Sequence, residues 1–302
     1  MINENSCCLA IDAGGSYLKA ALIKVDGCIV PDSFVKMPIE SNGTVDQIKE
    51  VYTNTARLGA EKARQHSLNL AGVGVSTPGP FNYIDGISLM KHKYSSIYGI
   101  PIRPWIENET GKIPILFLHD STAFILGATF KGRYSDFKRI AGVIIGTGLG
   151  FASMFDSKVY NNPQGGPGIS IFARQYREGT AEEYVSRRAI IRQYRNMVPQ
   201  ADEKIDVLDI SILARAGNTK AKKVFLDLGS HLAEILHDIL FEYKFQCLLL
   251  GGAISKSADL FLPLLSQKLA DIPSLKLIEQ IEDIDNAPLL GAAQALFSKN
   301  IK

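Results

Sequence analysis

Twice in this chain of 302 residues the same succession of segments occurs, and it narrows the possible folds more than any other feature. Residues 7–11 form an unbroken apolar run, closed by the turn Asp12-Ala13-Gly14-Gly15-Ser16. A second apolar run follows at 18–25, and Asp26-Gly27 turns the chain into 28–30. Residues 140–145 repeat the first run and end in Gly146-Thr147-Gly148-Leu149-Gly150. Residues 151–155 repeat the second, and Asp156-Ser157-Lys158 leads into Val159 and Tyr160. Short apolar runs bounded by glycine and aspartate read as buried strands, and Asp-Gly between two of them is a hairpin turn. Aligning the two copies needs a gap of a few residues, so the echo is one of topology.

Other segments fill in the same architecture. Apolar runs at 70–76, 115–118 and 247–250 read as further strands, and helical patterns cover 45–65, 181–197, 205–216, 221–243 and 288–297. Strands alternating with helices indicate an α/β fold. At roughly 150 residues per domain, the length allows two domains. The expectation is therefore a duplicated α/β structure with a cleft between its halves. One domain is expected to hold residues 1–118 plus 287–302, closed by the last helix, and the other residues 119–286. The apolar helix at 221–243 is the expected surface of a homodimer.

Composition excludes several classes. With 33 basic and 31 acidic side chains, the chain lacks the basic excess of a nucleic-acid or anionic-membrane binder. No run approaches the ~18 apolar residues of a membrane span. The start, MINENSCCLAIDAGG, has neither the basic lead nor the long apolar stretch of a secretory signal. Cys7, Cys8, Cys28 and Cys247 form no C-x-x-C pair and no disulfide framework. A cytoplasmic protein with no nucleic-acid or membrane partner is expected.

Three strands end in glycine turns, at Gly14-Gly15, Gly146-Thr147-Gly148 and Gly251-Gly252. Adjacent glycines let a backbone approach an anion and point N–H groups at it, though any one of them can also be a plain tight turn. Three together suit a nucleotide with a polyphosphate tail. The pattern is neither a Walker A loop nor a dinucleotide-binding fingerprint.

The residues LAIDAGGSYLKA (9–20), VGVSTPGP (73–80), LHDSTAFILGA (118–128), VIIGTGLG (143–150), GTAEEYVSRRAI (179–190), LLLGGAIS (248–255) and APLLGAAQALF (287–297) resemble, in order, the ROK family of sugar kinases and sugar-responsive repressors. That family lies within the actin/hexokinase/Hsp70 superfamily. The resemblance implies two ribonuclease-H-like (actin/hexokinase-type) domains around an interdomain cleft and an ATP-dependent sugar kinase using Mg²⁺.

A carboxylate at a strand end, such as Asp120, can accept the proton of a hydroxyl that attacks a γ-phosphate. The resemblance gives Asp120 this catalytic role, while an Asp opening a helix can equally serve as its cap. Asp12 either holds a hydrated Mg²⁺ through water or stabilises its own turn. Lys19, on the next strand, either reaches the phosphates or is solvated. The resemblance makes Gly14, Gly15, Ser16, Gly146, Thr147 and Gly148 phosphate-binding and sets Gly251 and Gly252 near the adenosine. It makes Gly79, His119 and Glu182 the sugar-binding candidates, although Glu182 or Glu183 can simply complement a helix dipole.

Two departures from the family pattern bear on function. His119 stands where family kinases carry asparagine, and Gly166-Pro167-Gly168-Ile169-Ser170 replaces a segment with a glutamate and a histidine for the sugar. The family's zinc-binding cysteines would fall between Ser170 and Thr180, where SIFARQYREGT holds no Cys or His, so no zinc site is expected. Phe172 and Tyr176 are expected to pack beneath this segment instead. Tyr94 or Tyr98 either stacks on a sugar face or belongs to an ordinary loop. A sugar sensor without activity is the competing class, as is a kinase of a different acceptor.

Overall fold

The computed structural model describes residues 2–91 and 93–300, which leaves His92 outside. Internal contacts divide the chain into two compact units. One comprises Met1–Arg133, Asn161–Pro167 and Asn286–Lys302, the other Tyr134–Tyr160 and Gly168–Asp285.

The first unit is built on β1 (Ser6–Ala13), β2 (Tyr17–Lys24), β3 (Val35–Pro38), β4 (Asn69–Thr77) and β7 (Ile115–His119), in the order β3-β2-β1-β4-β7. β1, β2 and β3 are antiparallel, and β4 and β7 are parallel to β1. A small hairpin, β5 (Phe81–Asn82) with β6 (Ile87–Ser88), follows β4. Alternation along β1 divides two cores. Leu9 and Ile11 pack with Ile48 and Tyr52 of α1 (Val45–Gln65) and with Trp105 of α2 (Arg103–Thr110). Cys8 and Ala10 pack with Leu289, Ala292 and Leu296 of α9 (Ala287–Asn300). α1 begins in a capping box, Thr44 Oγ1 accepting the Gln47 N–H while the Gln47 side chain accepts the Thr44 N–H.

α3 (Asp120–Ala128) lies so close against α9 that a Cβ on Gly291 would fall 1.7 Å from the Ala123 carbonyl, and one on Gly127 1.8 Å from that of Ala287. Two helices that touch through glycine backbones belong to one unit. The division therefore falls after Arg133, later than the expected cut at 118. The segment 161–167 also joins this unit, because Thr122 Oγ1 donates to Asn161 Oδ1 at 2.9 Å and Gly165 abuts the Tyr83 ring.

The second unit repeats the sheet. β8 (Arg139–Ile145), β9 (Leu149–Phe155), β10 (Lys158–Val159), β13 (Cys247–Gly251) and β14 (Leu277–Gln280) are ordered β10-β9-β8-β13-β14, with the same antiparallel and parallel pairings. Val143, Ile145, Leu248 and Leu250 pack with Leu228, Leu232 and Leu236 of α7 (Thr219–Glu242). The echo in the sequence is thus a repeated sheet topology.

Several local readings change. Residues 28–30 form no strand; Ile29 makes only a bridge to Ile23, and the third strand is β3. The helix expected over 181–197 breaks at Val185 into α4 (Ala181–Tyr184) and α5 (Arg187–Met197), because Ser186 leaves the helical conformation to cap α5. α6 (Val207–Arg215) and α8 (Leu262–Lys268) complete the helices of this unit. α7 spends its apolar face on its own sheet, leaving Leu226 and Phe241 exposed.

In the interval read as lacking zinc ligands, Phe172 is exposed rather than packed. Tyr176 does anchor the hairpin of β11 (Gln175–Tyr176) and β12 (Gly179–Thr180). Its ring meets Tyr184 and His231 edge-on, and its hydroxyl donates to Glu234 at 2.5 Å.

Candidate functional site

In the first unit the candidate residues gather at the C-terminal ends of β1, β4 and β7. Strand register puts Asp12 directly opposite Lys19 on β2 and Ser76 on β4. Ser76 Oγ donates to Asp12 Oδ1 at 3.0 Å. Burial nevertheless raises the Asp12 carboxyl from 3.8 to about 6, against the lowering effects of the Ser76 hydrogen bond and the Lys19 charge; the negative charge of Asp120 adds to the rise. Lys19 thus sits beside a carboxylate rather than on a bare strand face.

Asp120 follows β7 as the first residue of α3, and its side chain is 49% exposed. Burial acts to raise its pKa but is outweighed by His119, by the Lys93 charge and by the Ser121 N–H, so the carboxyl stays below its ordinary value. His119 Nδ1 lies 2.9 Å from Asp120 Oδ1, and the Ser121 N–H donates to the same oxygen at 2.6 Å. The cap of α3 is His119, whose Nδ1 accepts the Ser121 N–H at 3.2 Å. His119 is thereby fixed in place by the helix start and by the Tyr83 ring, which meets it edge-on. Gly79 lies against both: a Cβ there would stand 3.1 Å from the Tyr83 hydroxyl and 3.4 Å from the His119 ring. Gly79, His119 and Asp120 are therefore neighbours.

The first glycine turn is closed by Gly14 N–H donating to the Tyr17 carbonyl at 3.0 Å. Tyr94 Oη donates to the Gly14 carbonyl at 2.5 Å. The N–H groups of Gly15 and Ser16 meet no acceptor among the described residues, and both residues are exposed. Tyr94 is only 1% exposed, so it braces this turn instead of offering a face to a sugar; Tyr98 is exposed, with Lys91 over its ring.

The second unit places its two glycine turns at the ends of the neighbouring strands β8 and β13. Gly146 N–H donates to the Gly148 carbonyl at 3.0 Å, and the N–H groups of Thr147 and Gly148 meet no acceptor among the described residues. The Leu149 N–H donates to Glu182 Oε2 at 3.0 Å. Gly252 has φ +84°, and a Cβ there would lie 2.4 Å from the Ile145 carbonyl, so both its backbone angle and its packing require glycine. Ser255 Oγ donates to the Gly251 carbonyl at 2.7 Å.

Sequence reasoning missed Ser76 and Tyr83, and of its two readings for Tyr94 the packed loop aromatic is the one the structure has. Each makes its contact with a residue distant in the chain or with main chain. Only the serine's place at a strand end beside Pro78-Gly79-Pro80 hinted at a role. Among the described residues no three His, Cys, Asp or Glu side chains gather as a metal cage.

The ROK family profile matches residues 8–299. N-acetylmannosamine kinase of Escherichia coli K12 is 25% identical over 298 aligned residues, covering 94% of this chain and 96% of its own. The crystal structure of a ROK family glucokinase from Streptomyces griseus with glucose and AMPPNP superposes with a TM-score of 0.79 at 19% identity, covering 96% of this chain and 99% of that one. A ROK family transcriptional regulator, a homologue of the E. coli MLC protein, superposes with a TM-score of 0.84 at 19% identity, covering 97% of this chain and 79% of the regulator. Matched along nearly its whole length and carrying the two sheets of the actin/hexokinase-type fold, the chain belongs to the ROK family.

Proposed function

We propose that this protein is an ATP-dependent sugar kinase in which Asp120 is the general base. The observation that carries the reading is the half-exposed, ionised Asp120 beside Gly79 and His119, in the same unit as a glycine turn with unpaired N–H donors. Names of relatives support it: glucokinase and N-acetylmannosamine kinase are among them.

The chemistry follows from charge. A sugar hydroxyl attacks the γ-phosphorus, the new O–P bond forms, the bond to the ADP oxygen breaks, and the hydroxyl proton passes to Asp120. In a loose transition state the attacking oxygen becomes acidic only as that bond forms. A carboxylate of low pKa therefore suffices, and its value is that it is ionised and held in place by His119 and Ser121. The unpaired N–H groups of Gly15, Ser16, Thr147 and Gly148 are suited to phosphate oxygens, with the Ser16 and Thr147 hydroxyls as further donors.

The residues present fit Mg²⁺. The charge of Asp120 adds to the cost of ionising the buried Asp12, and a cation beside Asp12 relieves that cost. Mg²⁺ usually keeps several waters and takes few protein ligands, so Asp12 would hold it through water as a single protein contact. When bound with ATP it neutralises phosphate charge.

A second reading is a sugar sensor without turnover. It is favoured by Gly166-Pro167-Gly168-Ile169-Ser170 standing where the family's kinases carry sugar ligands, and by the likeness to a regulator. Purified protein with MgATP and a panel of hexoses, amino sugars and glycosides separates the two. The kinase releases ADP only with particular sugars. Sugar binding without ADP release on any member supports the sensor.

A further inference from the structure

We propose that Tyr94 is a positioning residue of the first glycine turn: its hydroxyl selects the orientation of the peptide joining Gly14 to Gly15 and so aims the Gly15 N–H at a phosphate. The proposal rests on the kinase reading only in naming a nucleotide as the ligand of that turn.

The Gly14 carbonyl and the Gly15 N–H belong to one planar trans peptide, the cis bond among the described residues being Gly79-Pro80. In a trans peptide the two groups point in opposite directions. Tyr94 Oη donates to that carbonyl at 2.5 Å from a buried ring, so the carbonyl is drawn toward the core of the unit. The N–H on the other side of the plane is then directed away from the core, where it meets no acceptor among the described residues.

This plane needs holding. Flipping it changes ψ of the residue before and φ of the residue after, and here both are glycine, which takes either sign of φ at little cost. The surroundings of Gly15 are open, an added Cβ meeting nothing within 4 Å. Nearby peptides are settled by other bonds: Gly14 N–H donates to the Tyr17 carbonyl at 3.0 Å, and the Ser16 carbonyl accepts the Ile39 N–H at 3.0 Å. Among the described residues the 14–15 peptide has Tyr94 alone. The Ser16 N–H, the other outward donor, lies on a peptide with neither end bonded among those residues, so the Gly15 donor is the one aimed in advance.

Tyr94 can serve as a fixed point because its own segment is held. Its backbone sits in the left-handed region at φ +55°, which is unfavourable for a bulky residue. Its N–H donates to the Ser41 carbonyl at 2.6 Å, and its carbonyl accepts the Ile97 N–H at 3.2 Å. Ser96 Oγ donates to the Gly43 carbonyl at 2.7 Å, which ties the segment to the loop before α1.

Tyr94→Phe keeps the ring in the core and removes the bond to Gly14. The account expects MgADP affinity, measured by calorimetry, to fall about tenfold, while the sugar Kd stays at the wild-type value. The KM for ATP should rise in parallel, with kcat within about twofold of wild type. Gly15 is not at positive φ, so alanine there suits the observed plane and resists the flipped one. The loss caused by Tyr94→Phe should therefore shrink to about twofold in a Gly15→Ala background. Unchanged MgADP affinity in Tyr94→Phe, or the same loss in both backgrounds, would overturn the proposal. An equal loss of sugar affinity would overturn it too, by marking a general loosening of the unit. If wild type binds no MgADP, it is the kinase reading that fails, and crystal structures of wild type and Tyr94→Phe still decide this one. The variant must show the 14–15 peptide flipped or in both orientations; one plane, the same as in wild type, contradicts it.

Discussion

The two sheets share strand order and pairing direction, and the position just before the last pair of the first hairpin differs in chemistry between them. In the first unit Ala13 pairs with Leu18, so the preceding position is Asp12, flanked by Lys19 and Ser76. In the second, Ile145 pairs with Leu149, so the equivalent position is Ile144, flanked by Gly150 and Gly251. A polar trio in one copy corresponds to an isoleucine and two glycines in the other. The strand–glycine turn–strand frame by itself yields outward N–H donors, since both turns close their first N–H and leave two others unpaired. At this strand position an ionisable group stands in the first copy alone, and it carries an energetic penalty there, with burial raising the Asp12 carboxyl. The two carboxylates of the first unit also diverge, Asp12 upward and Asp120 downward.

The largest effect should come from the charged copy. Asp120→Asn is expected to lower kcat by about 10³-fold while MgADP affinity, measured by calorimetry, stays near wild type. Next is the glycine turn after β13 in the second copy, whose importance is steric. Gly252→Ala meets the Ile145 carbonyl at 2.4 Å with φ at +84°, and should destabilise by about 2–4 kcal/mol in denaturant unfolding.

A smaller effect, opposite in sign, is expected at Asp12. Its folded pKa of about 6 lies above the 3.8 of the free carboxyl, so the folded state holds the proton more tightly. Stability is lost as pH rises from about 4 through 6 and stays lower above that. Asp12→Asn should then be more stable than wild type by about 1–3 kcal/mol at pH 8 without nucleotide, with the gain fading below pH 4. A stability difference independent of pH would mean that Asp12 carries no burial penalty, and the contrast with Ile144 would lose its meaning. The smallest effect belongs to Gly15→Ala. An added Cβ meets nothing within 4 Å, and unfolding should shift by no more than about 0.5 kcal/mol.

Much of this frame was legible in the sequence because its signals are local. Apolar runs, glycine turns and the His119-Asp120 strand end stand in contiguous residues. The third strand was not legible, because Val35–Pro38 is an edge strand of alternating half-buried and exposed residues with no apolar run. Asp26-Gly27 did turn the chain, but pairing beyond it is a single bridge at Ile29. Ser76 looked like one more residue of a buried strand; its partner Asp12 is 64 positions away. Tyr94 looked like a loop aromatic, yet its hydroxyl braces Gly14 across 80 positions. For Glu182, helix-start position and family pattern offered two roles, and its bond to the Leu149 N–H is a contact that no sequence spacing encodes.

The central claim is that the carboxylate-bearing copy of the frame performs the transfer. It is tested most directly by mass-spectrometric detection of phosphorylated sugar, with ADP measured in the same samples, for wild type and Asp120→Asn against the sugar panel. The account predicts phosphosugar and ADP in equal amounts from wild type. It predicts neither above background from the variant, although the variant still binds MgADP and sugar. Product formed by Asp120→Asn at the wild-type rate would contradict it.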